Sequence, residues 1–280
     1  MPAVVMDGRP LAAKVKEQVR CEVEQLANKP GLAVVLVGDN PASKVYMKGR
    51  KKDCDQCGIY SEEYILPAET TQEELLELID VLNGRSEIDG ILFQMPMPPH
   101  IDAREVLSAV RPDKDVDCFH SFNMGQLVFG EPGFRPCTPA AIFALLEEYG
   151  IDPCGKTCVI VGRSNIVGKP LSMMMVNRDA TVTVCHTMTA KLKSACLRAD
   201  ILIAAAGQAG LITSDMVKEG AVVVDIAINR TADGGLCGDV VYEKAAEKAS
   251  YITPVPGGVG PVTRSMLMAN TLKAAKRHGK

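Results

Sequence analysis

Tyr46 and Arg50 are two side chains whose types and spacing could do chemistry together. They lie in PASKVYMKGRKKDCDQCG (41–58), a stretch that predicts a helix of about four turns with Ser43 as its N-cap and Gly58 as its stop. This spacing puts the phenol and the guanidinium on one helix face, one turn apart. Two interpretations are open: a solvated basic helix with one docked tyrosine, or one wall of a site for a flat, anionic substrate.

The composition of the chain excludes several classes of protein. Its 280 residues are 47% hydrophobic and 23% charged, which suits two domains with full cores. The net charge of −3 comes from interleaved charges of both signs, so we expect no binding to nucleic acid. No apolar run is long enough to span a membrane, and the N-terminus lacks the features of a signal peptide. We therefore predict a cytoplasmic protein without membrane contacts.

The cysteines and histidines predict neither disulfides nor a metal site. In a chain of this length without a secretion signal, the ten cysteines are expected to be reduced thiols. Cys54 and Cys57 form a CxxC near the C-terminal end of the predicted helix, where the helix dipole does not stabilise a thiolate. We predict two residues on one buried face, with a redox or metal role as the alternative. The four histidines build no zinc-ligand spacing with the cysteines.

Strand and helix signals alternate along the chain, which is typical of parallel α/β architecture. GLAVVLVG (31–38) predicts a buried strand, and DGILFQMPMPP (89–99) predicts a strand that runs into a proline-rich loop. Thr138 and Pro139 predict the start of a helix that is long enough to bridge two domains. We therefore place a domain boundary at this helix.

The predicted organisation has two domains. The first is a three-layer α/β domain formed by residues 1–138 and joined by a C-terminal helix, 264–280. The second, 139–263, contains four apolar runs with helical spacers, the pattern of a Rossmann-like, doubly wound nucleotide-binding domain. These runs are KTCVIVG (156–162), ATVTVCH (180–186), DILIAAAG (200–207) and AVVVDIA (221–227).

The turn after the first of these runs, in VIVGRSNIVGKP (159–170), predicts a nucleotide site. Gly162 can make the tight turn, and Gly168 lets a helix begin close to a phosphate; a plain βα turn with two glycines is the alternative. The next strand ends without a carboxylate for the ribose of NAD, whereas Arg163 and Thr187 could bind a 2′-phosphate. We therefore predict NADP as the cofactor, with NAD left open.

Two other places predict contacts with a ligand. ITPVPGGVGPVT (252–263) holds three prolines and three glycines. A backbone that is both stiff and tightly turned suits close approach to a flat ligand. A rigid interdomain linker is the alternative. Gln94 and Asp117 are polar residues at the ends of strands or loops, where ligands of α/β folds collect.

Taken together, these segments resemble the bifunctional methylenetetrahydrofolate dehydrogenase/cyclohydrolases over nearly the whole chain. The motifs that carry the resemblance are PASKVY, QMPMPPHID, PDKDVD, PCTP, GRSNIVGKP, ATVTVCH and TPVPGGVGP, in the family's order and spacing. The resemblance implies reversible hydride transfer from 5,10-methylenetetrahydrofolate to NAD(P)⁺ and hydrolysis of the methenyl product to 10-formyltetrahydrofolate. It also implies that no metal is needed and that the second domain forms a homodimer.

The resemblance further implies roles for individual residues. Tyr46 matches the tyrosine that stacks on the aminobenzoyl ring of folate, Gln94 the glutamine near the reacting one-carbon bridge, and Asp117 the aspartate that hydrogen-bonds the pterin. The loop positions near the ligands are Pro256, Gly257 and Gly258, and the positions that match cofactor contacts are Arg163, Ser164 and Ile228.

Arg50 occupies the position at which the family has the lysine of its Tyr-x-x-x-Lys motif, a lysine central to the cyclohydrolase step. A buried lysine can lose its proton, whereas arginine stays protonated at any working pH. Hydride transfer needs positioning and no proton shuttle. We therefore hypothesise that the dehydrogenase is retained and the cyclohydrolase is weak or absent. The alternatives are a fully bifunctional enzyme and a non-catalytic folate- or nucleotide-binding protein.

Two smaller departures from the family pattern replace glycines. Cys118 follows KDVD, where the family usually has glycine, and its side chain is expected to crowd the loop around Asp117. Ala227 in DIAIN is a smaller change of the same kind.

Overall fold

The computed structural model describes residues 2–231 and 233–280, without the side chains of residues 41–45. The described residues form two compact units. The three-stranded unit consists of residues 13–126, 132–137 and 264–280; the six-stranded unit consists of the described residues up to Ala12 together with 127–131 and 138–263. Each unit is built on its own parallel sheet.

The strands follow one another along the chain as β1 (Val4–Val5), β2 (Gly31–Val37), β3 (Tyr60–Leu66), β4 (Gly90–Phe93), β5 (Thr157–Val161), β6 (Thr181–Cys185), β7 (Ile201–Ala204), β8 (Val222–Asp225), β9 (Asn229–Arg230), β10 (Leu236–Cys237) and β11 (Tyr251–Ile252). The helices are α1 (Gly8–Val23), α2 (Pro41–Cys57), α3 (Gln72–Gly84), α4 (Ala103–Ala109), α5 (Ser121–Val128), α6 (Cys137–Glu148), α7 (Gly168–Val176), α8 (Leu192–Cys196), α9 (Tyr242–Ala246) and α10 (Val259–Arg277). A 3₁₀ turn covers Ser214–Met216.

The three-stranded unit has the strand order β3-β2-β4 and two hydrophobic layers. Every residue of the central strand β2 is buried, because its unbroken apolar run is covered on both faces. Alternate residues of β2 face opposite layers: one layer contains α1, α2 and α10, and the other contains α3 and α4. The unit is therefore a three-layer α/β domain, as predicted.

The six-stranded unit has the strand order β1-β11-β8-β7-β5-β6, and every pair in this sheet is parallel. Strands β6, β5, β7, β8 and β11 have the doubly wound order 2-1-3-4-5, with the topological switch point between β5 and β7. This confirms the predicted Rossmann-like fold class. The sheet also takes up β1, whose Val4 pairs with Tyr251. We propose that β1 belongs to the second domain, which amends the predicted division of 1–138 with 264–280 and 139–263.

Two helices begin earlier than the sequence predicts. Helix α2 begins at Pro41, so the predicted N-cap Ser43 lies inside it, and α6 begins at Cys137 rather than after Thr138. The backbone N–H groups in the first turn of a helix have no partner within the helix, so proline, which lacks an N–H, fits there. The prediction from the capping residues alone therefore placed both starts too late. At the other end of α2, Gly58 has φ +73° and stops the helix as predicted.

None of the helices in the part of the chain that the structure describes is both long and apolar enough to cross a membrane.

Candidate active site

Three of the four predicted catalytic residues lie together in the three-stranded unit, where Arg50 contacts both Tyr46 and Gln94. Helix α2 places Tyr46 and Arg50 on one face, with the guanidinium carbon of Arg50 5.4 Å from the centre of the Tyr46 ring. Gln94 directly follows β4, and its Oε1 accepts a hydrogen bond from Nη2 of Arg50 at 3.2 Å. A strand end and a helix face thus bring an aromatic ring, a cation and an amide together.

The guanidinium of Arg50 is buried, and only part of its hydrogen-bonding capacity is used. The residue is 6% exposed, and its Nε and Nη1 find no partner among the described residues. A buried donor without an acceptor costs about 1–3 kcal/mol. These two N–H groups are therefore available to the oxygen atoms of a ligand.

Asp117, the fourth predicted catalytic residue, lies in a loop that is held by another carboxylate. Asp115 accepts hydrogen bonds from the backbone amides of Phe119 and His120, at 3.0 and 2.8 Å, and from the side chain of Asn123 at 2.8 Å. Burial raises the pKa of Asp117, while Cys137 and the positive charge of Arg50 oppose this shift. The charge of Arg50 thus acts on Asp117, and we propose that Asp117 belongs to the same site.

Cys118 has a backbone conformation that explains why glycine is common at this position. Its φ of 60° lies in the left-handed region, which disfavours residues with a side chain. The thiol is fully buried, and Sγ donates to the carbonyl oxygen of Phe134 at 3.4 Å. The side chain thus packs into the core, and the change from glycine affects the backbone rather than crowding Asp117. At the second departure, the Ala227 amide donates to the Asp225 carboxylate at 3.2 Å.

Cys54 and Cys57 are core residues. Both are 0% exposed, and burial raises the pKa of Cys54 to about 12 and that of Cys57 to about 11. Thiols with such pKa values hold their protons at neutral pH and are poor nucleophiles and metal ligands. The interpretation of this CxxC as two residues on a buried face is therefore supported over a redox pair.

In the six-stranded unit, the backbone itself requires the two predicted glycines. Gly162 has φ +133°, and a Cβ there would lie 2.2 Å from the carbonyl oxygen of Ala205; a Cβ at Gly168 would lie 2.2 Å from that of Gly162. Ser164 supports the same turn, because its hydroxyl accepts from the amides of Val167 and Gly168 at 3.1 and 3.4 Å. The turn after β5 is thus closely packed beside the switch point of the sheet.

The remaining predicted cofactor and loop residues follow the carboxyl ends of parallel strands. Arg163 follows β5 and Thr187 follows β6, and both side chains are exposed. Ile228, which is 57% exposed, follows β8, and Pro256, Gly257 and Gly258 follow β11. Gly257 has φ +113°, and its carbonyl oxygen accepts from the Gly8 amide at 2.9 Å. The carboxyl ends of parallel strands meet at one edge of the sheet, which is where ligands of doubly wound folds bind.

Two buried carboxylates hold the loops at this edge, and the sequence analysis did not identify them. Asp239 accepts from three consecutive backbone amides after β7, those of Ala206, Gly207 and Gln208, at 2.6, 3.0 and 2.7 Å. Asp225, at the end of β8, accepts from the amides of Ala227, Asp239 and Val240 at 3.2, 3.1 and 2.8 Å. The aspartate at the end of the apolar run VVVD was the available signal in the sequence. Its partners could not be identified, because they are backbone amides, which almost every residue type has.

The sheet order and the glycine turn at its switch point define a nucleotide-binding unit of the doubly wound class. The chain belongs to the tetrahydrofolate dehydrogenase/cyclohydrolase family. That family's catalytic domain matches residues 6–117, and its NAD(P)-binding domain matches residues 136–279. The family resemblance predicted from the motifs, and with it the prediction of an enzyme, is confirmed.

Relatives match the chain from end to end. The bifunctional protein FolD of Moorella thermoacetica is 55% identical and covers 99% of this chain and 100% of its own length. The crystal structure of the bifunctional enzyme FolD from Campylobacter jejuni has a TM-score of 0.97 at 48% identity, covering 98% of this chain and 99% of its own. The Trypanosoma brucei enzyme, complexed with NADP cofactor and inhibitor, has a TM-score of 0.97 at 39% identity, covering 100% of this chain and 99% of its own.

Replacing Asp239 with Asn is expected to weaken NADP⁺ binding about tenfold, because an amide cannot accept from all of the donors that orient the loop after β7. Fluorescence titration of the purified variant with NADP⁺ measures the dissociation constant. The matched control is Asp233→Asn, an exposed carboxylate in the turn between β9 and β10. A folded Asp239→Asn variant with unchanged affinity would contradict this role.

Asp225 is expected to make the protein more stable as the pH falls toward 5. Burial raises its pKa from 3.8 to about 6, so the folded state binds more protons than the unfolded state between these values, and stability decreases as the pH rises through this window. From about pH 7.5 to about pH 5, the protein should gain about 1 kcal/mol of unfolding free energy relative to Asp225→Asn. Urea unfolding of both proteins at the two pH values measures this difference, and equal pH dependence would refute it.

Proposed function

We propose that the chain is a bifunctional enzyme that oxidises 5,10-methylenetetrahydrofolate with NADP⁺ and hydrolyses the methenyl product to 10-formyltetrahydrofolate. The observation that carries this proposal is the contact of Tyr46, Arg50 and Gln94 in one site, at positions that match the family's folate-binding residues. Relatives between 50% and 55% identical over nearly the whole chain are named bifunctional. These names favour the bifunctional alternative over the hypothesis of a weak or absent cyclohydrolase.

Arg50 is compatible with hydrolysis if its role is electrostatic. The methenyl group carries a positive charge, and its reaction with water gives a neutral formyl group and a released proton. A permanent cation beside this group destabilises the charged reactant and favours proton loss from the attacking water. In this proposal Arg50 promotes hydrolysis through its fixed charge and does not carry the proton.

The other residues of the folate site have binding roles in this proposal. Tyr46 stacks on the aminobenzoyl ring, and Gln94, fixed by its hydrogen bond with Arg50, lies near the one-carbon bridge. Asp117 accepts the paired N–H donors of the pterin, an arrangement that carboxylates bind well. In the loop after β11, Pro256, Gly257 and Gly258 contact the ligands.

NADP is the cofactor in this proposal, and the turn after β5 is its binding site. The exposed side chains of Arg163 and Thr187 follow neighbouring paired strands, which suits joint recognition of a 2′-phosphate. Gly162 and Gly168 allow the close packing of the turn, and the Ser164 hydroxyl accepts from the amide of Gly168, the first residue of α7. Ile228 contributes an exposed apolar surface for the cofactor. The relative from Trypanosoma brucei is complexed with NADP.

We propose that the enzyme is a cytoplasmic homodimer, as the family resemblance implies. The support for the dimer is the resemblance, and light scattering of the purified protein tests it. A mass of one chain at assay concentrations would refute the dimer without affecting the proposed chemistry.

Purified protein is expected to catalyse both reactions. Mixing methylenetetrahydrofolate with NADP⁺ should produce NADPH, and methenyltetrahydrofolate should be hydrolysed well above its spontaneous rate; absorbance follows both. Hydride transfer without enhanced hydrolysis would restore the hypothesis of a dehydrogenase alone. Absence of both, with tight ligand binding, would indicate a non-catalytic binding protein.

Replacing Arg50 with Lys is expected to raise the ratio of hydrolysis to hydride transfer about tenfold, because a buried lysine can release and recover a proton. The pH profile of hydrolysis should also acquire an ionisation that the arginine enzyme lacks. The matched control is Lys51→Arg, the reverse exchange at an exposed position of the same helix. An unchanged ratio and profile would show that residue 50 transfers no proton in either form.

A further inference from the structure

A second arginine, Arg264, lies on the same face of α2 as Tyr46 and Arg50. Its Nε is 3.2 Å from Oδ2 of Asp53, a carboxylate whose side chain is only 4% exposed and which also binds Nζ of Lys16 at 2.8 Å. Tyr46 and Asp53 are separated by two helical turns, so they lie on one face. Asp53 therefore holds Arg264 on the face of α2 that also carries Tyr46 and Arg50.

Gly49 provides the space in which Arg264 lies. A Cβ at this position would come within 2.2 Å of Nη1 of Arg264, so the guanidinium lies directly against the backbone of α2. Any side chain at position 49 would have to displace it. Gly49 lies between Tyr46 and Asp53 in α2 and directly precedes Arg50. The guanidinium of Arg264 therefore lies beside the part of the helix that carries Arg50.

The two arginines occupy the site at different depths. Arg50 is 6% exposed and contacts Gln94, whereas the side chain of Arg264 is 33% exposed. Both positive charges lower the pKa of the Tyr46 hydroxyl, against the effect of burial. Arg264 thus lies against Gly49, about one helical turn from Tyr46, at a more solvent-exposed position than Arg50.

We propose that Arg264 binds a carboxylate of the substrate's glutamyl tail, held in place by Asp53 and by the absence of a side chain at Gly49. This rests on the proposed function, in which Tyr46 stacks on the aminobenzoyl ring. The pterin and one-carbon bridge lie toward Arg50 and Gln94, so the glutamate attached to the opposite end of the ring extends toward Arg264. An arginine held by a carboxylate on one side can still pair with a second carboxylate through its remaining N–H groups.

The first test compares substrates with and without the glutamate. For Arg264→Gln, the KM for methylenetetrahydrofolate should rise about tenfold, the loss expected for one charge-assisted hydrogen-bonded pair. The kcat and the KM for NADP⁺ should stay unchanged. With the primary amide of methylenetetrahydropteroate, which lacks the glutamate and its carboxylates, the variant and the unaltered enzyme should have equal KM values. Lys51→Gln, which removes an exposed charge from α2, is the matched control for long-range electrostatics.

The outcomes separate this proposal from the proposed function. An unaltered enzyme without hydride transfer would refute the proposed function. An active enzyme in which Arg264→Gln leaves the folate KM unchanged, or raises the KM equally for the pteroyl amide substrate, would refute the role of Arg264.

A second variant tests the positioning by Gly49. Gly49→Ala should raise the folate KM several-fold while leaving the melting temperature unchanged or higher, because alanine favours a helix more than glycine does. In the Arg264→Gln background the same substitution should have no further effect on KM, since the group it displaces is gone. An equal effect of Gly49→Ala in both backgrounds would overturn the positioning role.

Discussion

The proposed folate site depends on one interaction, the hydrogen bond between the buried guanidinium of Arg50 and the side-chain amide of Gln94. Arg50 comes from a helix and Gln94 from the end of a strand, so this bond fixes the relative position of two elements that the site needs. It also leaves two buried N–H groups of Arg50 without an acceptor in the part of the chain that the structure describes. Such buried, unpaired donors lower the stability of the free protein and are available to the substrate. Hydrogen bonds to a bound ligand can recover this loss of stability.

The sequence predicted the parts of this site that follow from periodicity. Helical spacing placed Tyr46 and Arg50 on one face, and the pattern of parallel strands placed Gln94 at a strand end. Arg264 was missed because its partner Asp53 lies far away in the sequence, and no local pattern links a carboxylate in one helix to a cation in another. Gly49 was missed for the same reason, since a glycine inside a helix shows its purpose only when the neighbouring chain is seen.

In the nucleotide-binding unit, the backbone elements could be predicted from the sequence, but the side chains that hold the loops could not. Its sheet and its glycine turn were predictable, because buried parallel strands are nearly continuous apolar runs and the turn between strand and helix needs glycine. Asp225 and Asp239 could not be assigned, because their partners are backbone amides that every residue type except proline provides. These carboxylates make the loops at the switch point a single hydrogen-bonded assembly in which the loop after β7 and the end of β8 are fixed together.

The pairing of β1 with β11 has a consequence for the order of folding. Val4 and Val5 pair with Tyr251 and Ile252, which lie far away in the sequence. The neighbouring pairs of β5, β6, β7 and β8 connect segments that are much closer in sequence, and contacts between near segments form faster. The edge of the six-stranded sheet that β1 forms is therefore expected to be completed after the central pairs, and β1 stays unpaired until the distant β11 is in place.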